Sequence, residues 1–310
     1  MVDDLAGRVA ALTGGRRRLL DRLAQRHPAT TAATTVPAAD PDPSTGAVPP
    51  VGAGNDVAAF YDAITTRLDA TPAGPWALFL NYGYCEGDDD RGTVPVPERT
   101  VDRTSVKLIV ELVGDRSLDG CRVLDVGCGR GGTVATLLRL YRPRAVVGVD
   151  LSPAAVSFCR RGQPDRRASF EVGDAQRLPF ADASFDVVTN VESSHCYPDV
   201  AAFYAEVRRV LVPGGWFLYT DLVATASLPA RRAALARLSL CPEVERDVTA
   251  NVLRSCDLVA ARRRAAFAPP IGGHDPSDLG DFLAVPGSAH YEDMRRGEAT
   301  YVIWQLRVPA

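Results

Sequence analysis

The sequence predicts an α/β fold in which helices cover both faces of a mostly parallel sheet. From residue 121 to residue 221, short apolar runs alternate with segments whose apolar residues follow the helical period. Strands separated by helices of this length pair in parallel. The first apolar run ends in the glycine-rich turn GCGRGG at 127–132, which is the kind of turn that joins a strand to a helix in such folds.

The individual elements follow from hydrophobic periodicity and from turn and capping residues. A helix is predicted from the N-cap Asp56 to Leu68, and another from about Asp102 to Val113. The alternating region is predicted to contain strands at 121–126, 145–149, 168–172, 185–191 and 215–221, and helices at 131–141, 153–162 and 198–211. The last predicted elements are helices near 229–239 and 244–255 and strands near 257–266 and 298–307.

The chain divides into three predicted parts. Residues 1–27 form a helical segment, because apolar residues recur at the helical period between residues 4 and 26. Residues 28–55 are rich in Pro, Ala, Thr and Gly and are interpreted as a linker. Residues 56–310 form one domain, in which 222–298 contains an apolar insertion expected to act as a substrate lid.

The N-terminal helical segment has two interpretations. It packs on its own domain or on a second copy of the chain, which would give a homo-oligomer. Alternatively, residues 4–26 dock a carrier protein, because they resemble the leucine- and arginine-rich helices that flank carrier domains in peptide and polyketide assembly lines.

The charge and cysteine content exclude several classes of function. The formal net charge is -3 with a pI near 5.9, and no stretch is basic enough for a general nucleic-acid or membrane surface. No run of 18 apolar residues and no signal-peptide pattern occurs. The seven cysteines include no CxxC pair, so we expect no disulfide framework, no metal site and a reducing cytoplasm.

The glycine-rich turn by itself fits two kinds of nucleotide-binding protein. Gly127, Gly129 and Gly132 satisfy the pattern GxGxxG, and Asp150 follows 18 residues after Gly132 at the end of the second strand. An acidic residue at that place accepts hydrogen bonds from ribose hydroxyls, so the spacing also fits a dinucleotide-dependent enzyme.

Three further features separate these interpretations. Asp125 precedes the first glycine by two residues, where dinucleotide folds usually have an apolar residue. GDAQ at 173–176 precedes LPF at 178–180, and VPGG at 212–215 leads into a buried strand. The order and spacing of VLDVGCGRGG (123–132), VVGVD (146–150), VGDAQRLPF (172–180), FDVVTNVES (185–193) and LVPGG (211–215) closely resemble the class I S-adenosylmethionine-dependent methyltransferases.

The resemblance covers roughly residues 100–222 and implies a Rossmann-like methyltransferase fold with bound S-adenosylmethionine. It implies that residues 298–307 form an antiparallel last strand. Asp125 would brace the glycine-rich turn, and the backbone of Asn190 would face the methionine end of the cofactor. The other residues that it assigns to the cofactor are Gly127, Cys128 and Gly129 for methionine, Asp150 for ribose, and Leu151, Asp174 and Ala175 for adenine.

The segment NVESSHCYPD at 190–199 follows the fourth strand, at the sheet edge where open α/β proteins bind ligands. His195 would project over the transferable methyl group and take the proton of a substrate hydroxyl, or it would only shape the loop. Asp221, at the end of the fifth strand, would orient His195, accept a proton itself or cap the next segment. Glu192 would bind substrate or act as a second carboxylate. The remaining histidines, among them His290, have no comparable context.

Aromatic residues upstream of the domain core are the third group of candidates. In the resembling subfamilies an N-terminal helix and an N-x-G-Y segment fold over the cofactor, so Tyr61, Tyr82 and Tyr84 would line a closed site. Ordinary core aromatics are the alternative. Cys85 follows Tyr84 where the family pattern often has Trp.

The ESSHCYPD, NYGY and FLAVPGSAHY segments resemble those of natural-product methyltransferases, including phthiotriol and phenolphthiotriol dimycocerosate O-methyltransferases. This resemblance implies a lipophilic small molecule as acceptor, in a largely apolar pocket. We expect O-methylation of a hydroxyl. The alternatives are C-methylation of a prenyl or alkene carbon, N-methylation, a cyclase on the same fold that transfers no methyl, and an assembly-line interaction module.

Overall fold

A computed structural model describes residues 55–71, 74–88, 90–267 and 281–310. The predicted helical segment at 1–27 and the docking role of residues 4–26 therefore lie outside the described residues. The predicted linker at 28–55 does so too, except that the first described helix begins at Asn55. Within the described residues, no helix combines the length and apolar character needed to cross a membrane.

The described residues form one seven-stranded sheet. Its strands are β1 (Arg122–Val126), β2 (Ala145–Asp150), β3 (Ala168–Val172), β4 (Phe185–Val191), β5 (Leu211–Ala224), β6 (Cys241–Asp247) and β7 (Ala299–Arg307). The spatial order is β3-β2-β1-β4-β5-β7-β6. Strands β1 to β5 pair in parallel, and β7 lies antiparallel between β5 and β6. The prediction of a mostly parallel sheet with an antiparallel last strand is confirmed.

Helices cover both faces of this sheet. They are α1 (Asn55–Asp69), α2 (Arg103–Val113), α3 (Gly132–Leu140), α4 (Pro153–Gly162), α5 (Val200–Val210), α6 (Leu228–Arg237), α7 (Thr249–Phe267) and α8 (Ala289–Arg296). Side chains of α2, α3, α4, α7 and α8 belong to one core, and those of α5 and α6 to the other. Val123 and Leu124 of β1 enter opposite cores, because successive side chains of a strand point to opposite faces.

Two elements predicted after the fifth strand are wrong. The chain forms β6 at Cys241–Asp247 and then α7 at Thr249–Phe267, in place of a helix near 244–255 and a strand near 257–266. β6 is a polar edge strand, so it has no apolar alternation, and its pairing with β7 decides its structure. In α7 the buried residues Val252, Cys256 and Ala260 recur every four positions, which is the helical period.

Strand β5 is longer than predicted. It continues to Ala224 because its pairing with β7 runs from Trp216 to Ala224. Asp221 therefore lies inside the strand and does not end it. The segment 222–298, predicted as a lid insertion, also supplies β6 to the sheet.

Arg130, in the glycine-rich turn, attaches the segment from α1 to residue 77 to the domain core. Its side chain is 1% exposed, and its guanidinium lies 3.6 Å from the ring centroid of Phe158. It forms an ion pair of 2.9 Å with Asp69. It donates hydrogen bonds to the backbone carbonyls of Thr65 (3.2 Å), Gly74 (2.7 Å) and Ala77 (2.7 Å).

A second attachment joins α1 to α4. The Oδ1 atom of Asp62 accepts hydrogen bonds from Ser152 Oγ and from the backbone N–H of Ala154, the latter at 3.1 Å. These donors lie at the N-terminus of α4, where a carboxylate is also favoured by the helix dipole. The two attachments hold α1 beside the carboxyl end of β2.

The Arg130→Met variant is expected to lower the free energy of unfolding by about 3 kcal/mol. Methionine fills a similar volume, but it leaves three carbonyls and Asp69 without their donor. Chemical denaturation followed by circular dichroism measures this loss. The control is Arg139→Met, because Arg139 is exposed on α3 and its loss should cost within about 0.5 kcal/mol. Equal losses in the two variants would contradict the prediction.

Candidate functional site

The carboxyl ends of β1, β2, β3 and β4 meet at one edge of the sheet, and the glycine-rich turn lies against this edge. The N–H groups of Gly127 and Cys128 donate to the carbonyl of Val149 at 2.8 and 3.0 Å. The N–H of Gly129 donates to Asp150 Oδ2 at 2.8 Å. Gly127 has a φ of 72°, and a Cβ there would overlap the Ser193 side chain, so only glycine fits this position.

Two buried acceptor atoms at this edge have no hydrogen-bond partner among the described residues. Asp125 is 1% exposed; its Oδ1 accepts from Thr189 Oγ1 at 2.7 Å, whereas its Oδ2 has no donor. Burial raises the pKa of Asp125 to about 7, although the Thr189 hydrogen bond opposes this. The Oδ1 atom of buried Asn190 also lacks a donor. Unpartnered buried acceptors are costly, so this edge fits a ligand that carries N–H groups.

The side chain of Asn190, more than its backbone, shapes the loop that follows β4. Its Nδ2 donates to the carbonyl of Val126 at 2.9 Å, to Ser193 Oγ at 2.6 Å and to Tyr197 OH at 3.3 Å. These bonds hold the start of the 193–197 loop against the end of β1.

The ends of β2 and β3 carry the residues assigned to ribose and adenine. Asp150 accepts a hydrogen bond on each carboxylate oxygen, from Gly129 N at 2.8 Å and from Ser152 N at 2.9 Å. Burial raises its pKa, and these backbone hydrogen bonds oppose the rise. Leu151 is 37% exposed, which leaves its side chain available to a flat ligand. Asp174 and buried Ala175 follow β3, one strand away.

His195 and Asp221 form a hydrogen-bonded pair at the ends of β4 and β5. A 3-10 turn at Ser194–Cys196 places His195 Nδ1 2.7 Å from Asp221 Oδ1. The Oδ2 of Asp221 accepts from Ser194 Oγ at 2.6 Å and from the His195 backbone N–H at 3.2 Å. Because a carboxylate faces Nδ1, we assign the imidazole proton to Nδ1, which leaves Nε2 for another partner.

The charges of this pair stabilise each other. Burial would lower the pKa of His195, but Cys196 and Asp221 raise it well above the usual value of 6.5. Burial would raise the pKa of Asp221, but His195, Ser194 and Arg231 lower it. The pair therefore favours an imidazolium beside a carboxylate.

Arg231 of α6 supports the pair from the side opposite His195. Its Nη1 lies 3.4 Å from Ser194 Oγ, 3.2 Å from Tyr204 OH and 3.2 Å from Tyr219 OH. The hydroxyls of Ser194 and Tyr219 are in turn 2.9 Å apart. The guanidinium thus reaches Asp221 through Ser194, and its positive charge favours the ionised carboxylate.

Glu192 is held in a strained conformation between β4 and the upstream tyrosines. It has a φ of 53°, which is unusual for a residue other than glycine and is concentrated at functional sites. Its Oε2 accepts from the backbone N–H of Tyr82 at 2.8 Å and from Tyr301 OH at 2.5 Å. Burial raises the pKa of Glu192 to about 7, although these hydrogen bonds oppose the rise.

The structure brings two of the three upstream tyrosines to this loop. Tyr61 OH lies 3.6 Å from Cys196 Sγ, and Tyr82 contacts Glu192 through its backbone. Tyr84 belongs to another network, because its hydroxyl donates to Asp90 at 2.8 Å. The expectation that Tyr84 lines the closed site is therefore wrong. Its neighbour Tyr82 points to the loop because successive residues of an extended segment face opposite sides.

Sequence reasoning missed His290 and Arg231. His290 Nδ1 lies 3.1 Å from Tyr82 OH, so a histidine without a recognisable motif reaches the same region. Its place in FLAVPGSAHY, a segment of family resemblance, was the only indication. Within the described residues, no group of three His, Cys, Asp or Glu side chains is arranged to hold a metal ion. All seven cysteines lie in described parts of the chain and are free.

Comparison with known proteins decides the family. Residues 124–219 match the family model described as a methyltransferase domain. The fatty-acid O-methyltransferase of Mycolicibacterium smegmatis is 38% identical over 236 residues, covering 75% of this chain and 84% of that protein. A phthiotriol/phenolphthiotriol dimycocerosates methyltransferase of Mycobacterium tuberculosis is 35% identical over 228 residues, 72% of this chain and 83% of that protein. The chain belongs to the class I S-adenosylmethionine-dependent methyltransferases.

Solved structures agree with this methyltransferase fold. The crystal structure of the (4+2)-cyclase SpnF matches with a TM-score of 0.65 and 22% identity, over 84% of this chain and 98% of that chain. Geranyl diphosphate C-methyltransferase from Streptomyces coelicolor matches with a TM-score of 0.58 and 20% identity, over 84% and 98%. At these identities the likeness shows the fold of the methyltransferase, whose family uses S-adenosylmethionine.

The Asp125→Asn variant is expected to weaken binding of S-adenosylhomocysteine about tenfold or more. The change is isosteric, but it replaces a negatively charged acceptor with an amide opposite the ligand's ammonium group. Isothermal titration calorimetry measures the dissociation constant. The matched control is Asp186→Asn, at the opposite end of the sheet, which should leave it unchanged. Unaltered affinity in folded Asp125→Asn would show that Asp125 does not face the ligand.

Proposed function

We propose that this methyltransferase methylates a hydroxyl oxygen of a lipophilic small molecule, with His195 as the proton acceptor. The observation that carries the proposal is the 2.7 Å hydrogen bond between His195 Nδ1 and Asp221. It lies at the edge of the sheet that also carries the glycine-rich turn. An imidazole oriented by a carboxylate presents its second nitrogen as a base.

The cofactor assignments rest on the residues at the ends of the strands. Asp125 Oδ2 fits the ammonium of the methionine part, beside the backbone of 127–129. The carboxylate of Asp150 retains a free lone pair on each oxygen for the ribose hydroxyls. Exposed Leu151 and the pair 174–175 suit the adenine ring and its amine. Asn190 would contribute its unpartnered Oδ1, where the expectation concerned its backbone.

When bound, S-adenosylmethionine supplies a methyl group on a sulfonium leaving group. The acceptor O–H bond breaks, its proton passes to Nε2 of His195, and the new O–C bond forms as the C–S bond breaks. Asp221 stabilises the imidazolium that results. Such a base contributes about 10²–10⁴-fold to the rate, and the enclosing segment aligns the reactants at about 3–3.5 Å.

A lipophilic acceptor is supported by the apolar cluster beside the site. Phe60 and Tyr61 of α1 pack edge-on against Phe282, with ring centroids 5.5 and 6.2 Å apart. Tyr61 also contacts Cys196 in the loop of His195, so this aromatic cluster adjoins the proposed base. The named substrates of the relatives, fatty acids and phthiotriol dimycocerosates, are lipids.

C-methylation of an alkene is the second candidate. The carboxylate of Glu192 is surrounded by the rings of Tyr82 and Tyr301, which are 6.2 Å apart. Aromatic faces and a carboxylate stabilise positive charge on a substrate carbon. Transfer of methyl to any acceptor would exclude a cyclase that transfers none. Homo-oligomer formation, carrier docking by residues 4–26 and a cytoplasmic location stay predictions.

Calorimetry and methyl transfer test the function together. Wild-type protein should bind S-adenosylhomocysteine saturably, and Asp150→Ala should lose this binding. With methyl-labelled S-adenosylmethionine, dodecanol and geraniol should yield labelled methyl ethers, and His195→Ala should reduce the rate about 10²–10⁴-fold. Label on an alkene carbon of geraniol would favour the second candidate. Binding of S-adenosylhomocysteine without labelled product from either alcohol would count against hydroxyl methylation.

The pH dependence of kcat/KM is expected to show a rising limb above pH 6.5. The pKa of His195 is raised, so the imidazole is protonated below it and becomes a base as the pH rises through it. Arg231→Met should move this limb to higher pH, because loss of the positive charge favours the imidazolium. Arg231→Lys keeps the charge and should restore most of the original position. A lower rate with an unmoved limb would assign Arg231 a merely structural role.

A further inference from the structure

His290 is fixed by two partners from distant parts of the chain. Its Nδ1 lies 3.0 Å from the backbone carbonyl of Asp281 and 3.1 Å from Tyr82 OH. The Tyr82 hydroxyl donates to the same carbonyl at 3.2 Å. These three groups, His290, Tyr82 and the Asp281 carbonyl, are called here the His290 anchor. Their contacts set the position of the imidazole ring.

The His290 anchor is joined directly to the predicted catalytic loop. The residue whose hydroxyl contacts His290, Tyr82, donates its backbone N–H to Glu192 at 2.8 Å. Glu192 lies three positions before His195 in the chain. The Tyr301 hydroxyl meets the same carboxylate oxygen of Glu192. His290 and Glu192 are therefore connected through a single tyrosine.

Each end of this arrangement keeps one hydrogen-bonding atom without a partner among the described residues. The carbonyl of Asp281 can only accept, so Nδ1 of His290 carries the proton and Nε2 offers a lone pair. No described group bonds to Nε2. Glu192 uses only Oε2 for Tyr82 and Tyr301, and its Oε1 has no described partner.

The electrostatic environment keeps His290 uncharged. Burial lowers its pKa, and the positive charge of His195 lowers it further, whereas Asp281 and Asp293 oppose this. The effect of His195 on His290 also indicates that the two imidazoles face the same region. At neutral pH, His290 is thus an acceptor of hydrogen bonds, in contrast to His195 with its raised pKa.

One methylated oxygen does not use all these groups. His195 serves the oxygen that attacks the methyl group, which leaves Nε2 of His290 and Oε1 of Glu192 beside an aromatic cluster. Buried hydrogen-bonding groups without partners cost free energy. A site that holds such groups selects ligands that satisfy them and rejects analogues that do not. The surplus of acceptor atoms therefore matches a ligand with an additional O–H group.

We propose that His290 and Glu192 bind a second hydroxyl of the acceptor, so that the site is built for a lipid with two neighbouring hydroxyl groups. The proposal rests on the proposed hydroxyl methylation and adds a substrate class to it. The second hydroxyl donates to His290 or Glu192 and is not itself methylated. It orients the first hydroxyl toward His195.

The test compares the vicinal dodecanediol with dodecanol, which has the same chain and one hydroxyl. Wild-type protein should methylate the diol with a kcat/KM at least about tenfold higher, the loss expected when a site's polar groups stay unpaired. His290→Ala should erase the difference between the two acceptors. Tyr82→Phe, which removes only the hydroxyl that orients His290, should reduce it. Equal kcat/KM for the two alcohols with wild-type protein would overturn the proposal.

The control and a binding measurement keep this result separate from the proposed function. Tyr291→Phe alters the next residue of α8, whose hydroxyl binds Asp257 at 2.7 Å, and should preserve the preference for the diol. Calorimetry of dodecanediol with the S-adenosylhomocysteine complex should show weaker binding for His290→Ala than for wild type. If neither alcohol is methylated, hydroxyl methylation fails, whereas equal diol affinity of the two proteins overturns the role of His290.

Discussion

The burial of Arg130 is the constraint on which the arrangement of the site depends. A guanidinium has five N–H donors and keeps its charge, so it can be buried only where acceptors surround it. Here the acceptors are carbonyls of α1 and the following segment, together with Asp69. Because Arg130 belongs to the glycine-rich turn, the cofactor turn and the segment that covers it form one unit. Tyr61 and Tyr82 reach the loop of His195 as a consequence.

The polar groups of the site acquire different properties from their surroundings. His195 has a carboxylate beside it and a raised pKa, whereas His290 has a carbonyl and a neighbouring positive charge and a lowered pKa. Glu192, buried among tyrosines, has a pKa of about 7. Opposite shifts of this kind are how one site separates proton acceptors from hydrogen-bonding groups. The pair of histidines thus divides proton transfer from acceptor binding in the proposed mechanism.

The antiparallel end of the sheet contributes to this division. Pairing with β7 extends β5 beyond Asp221, so the carboxylate is held by a continuous ladder and is completely buried. β7 also supplies Tyr301 to Glu192, and α6, which follows β5, supplies Arg231 to Ser194. The region after the fifth strand therefore completes the support of the catalytic loop, besides covering the acceptor.

The sequence by itself determined the parallel core, the strand ends at the cofactor edge and the family, because hydrophobic periodicity and glycine turns are local properties. Tertiary structure alone decided the rest. Tyr82 and Glu192 are 110 residues apart, and Tyr82 and His290 are 208 apart, so neither contact has a local pattern. The polar strand β6 was missed for the same reason, since its pairing with β7 defines it. Tyr84, two residues from Tyr82, turns to Asp90 because packing, and not residue type, chooses the partner of a side chain.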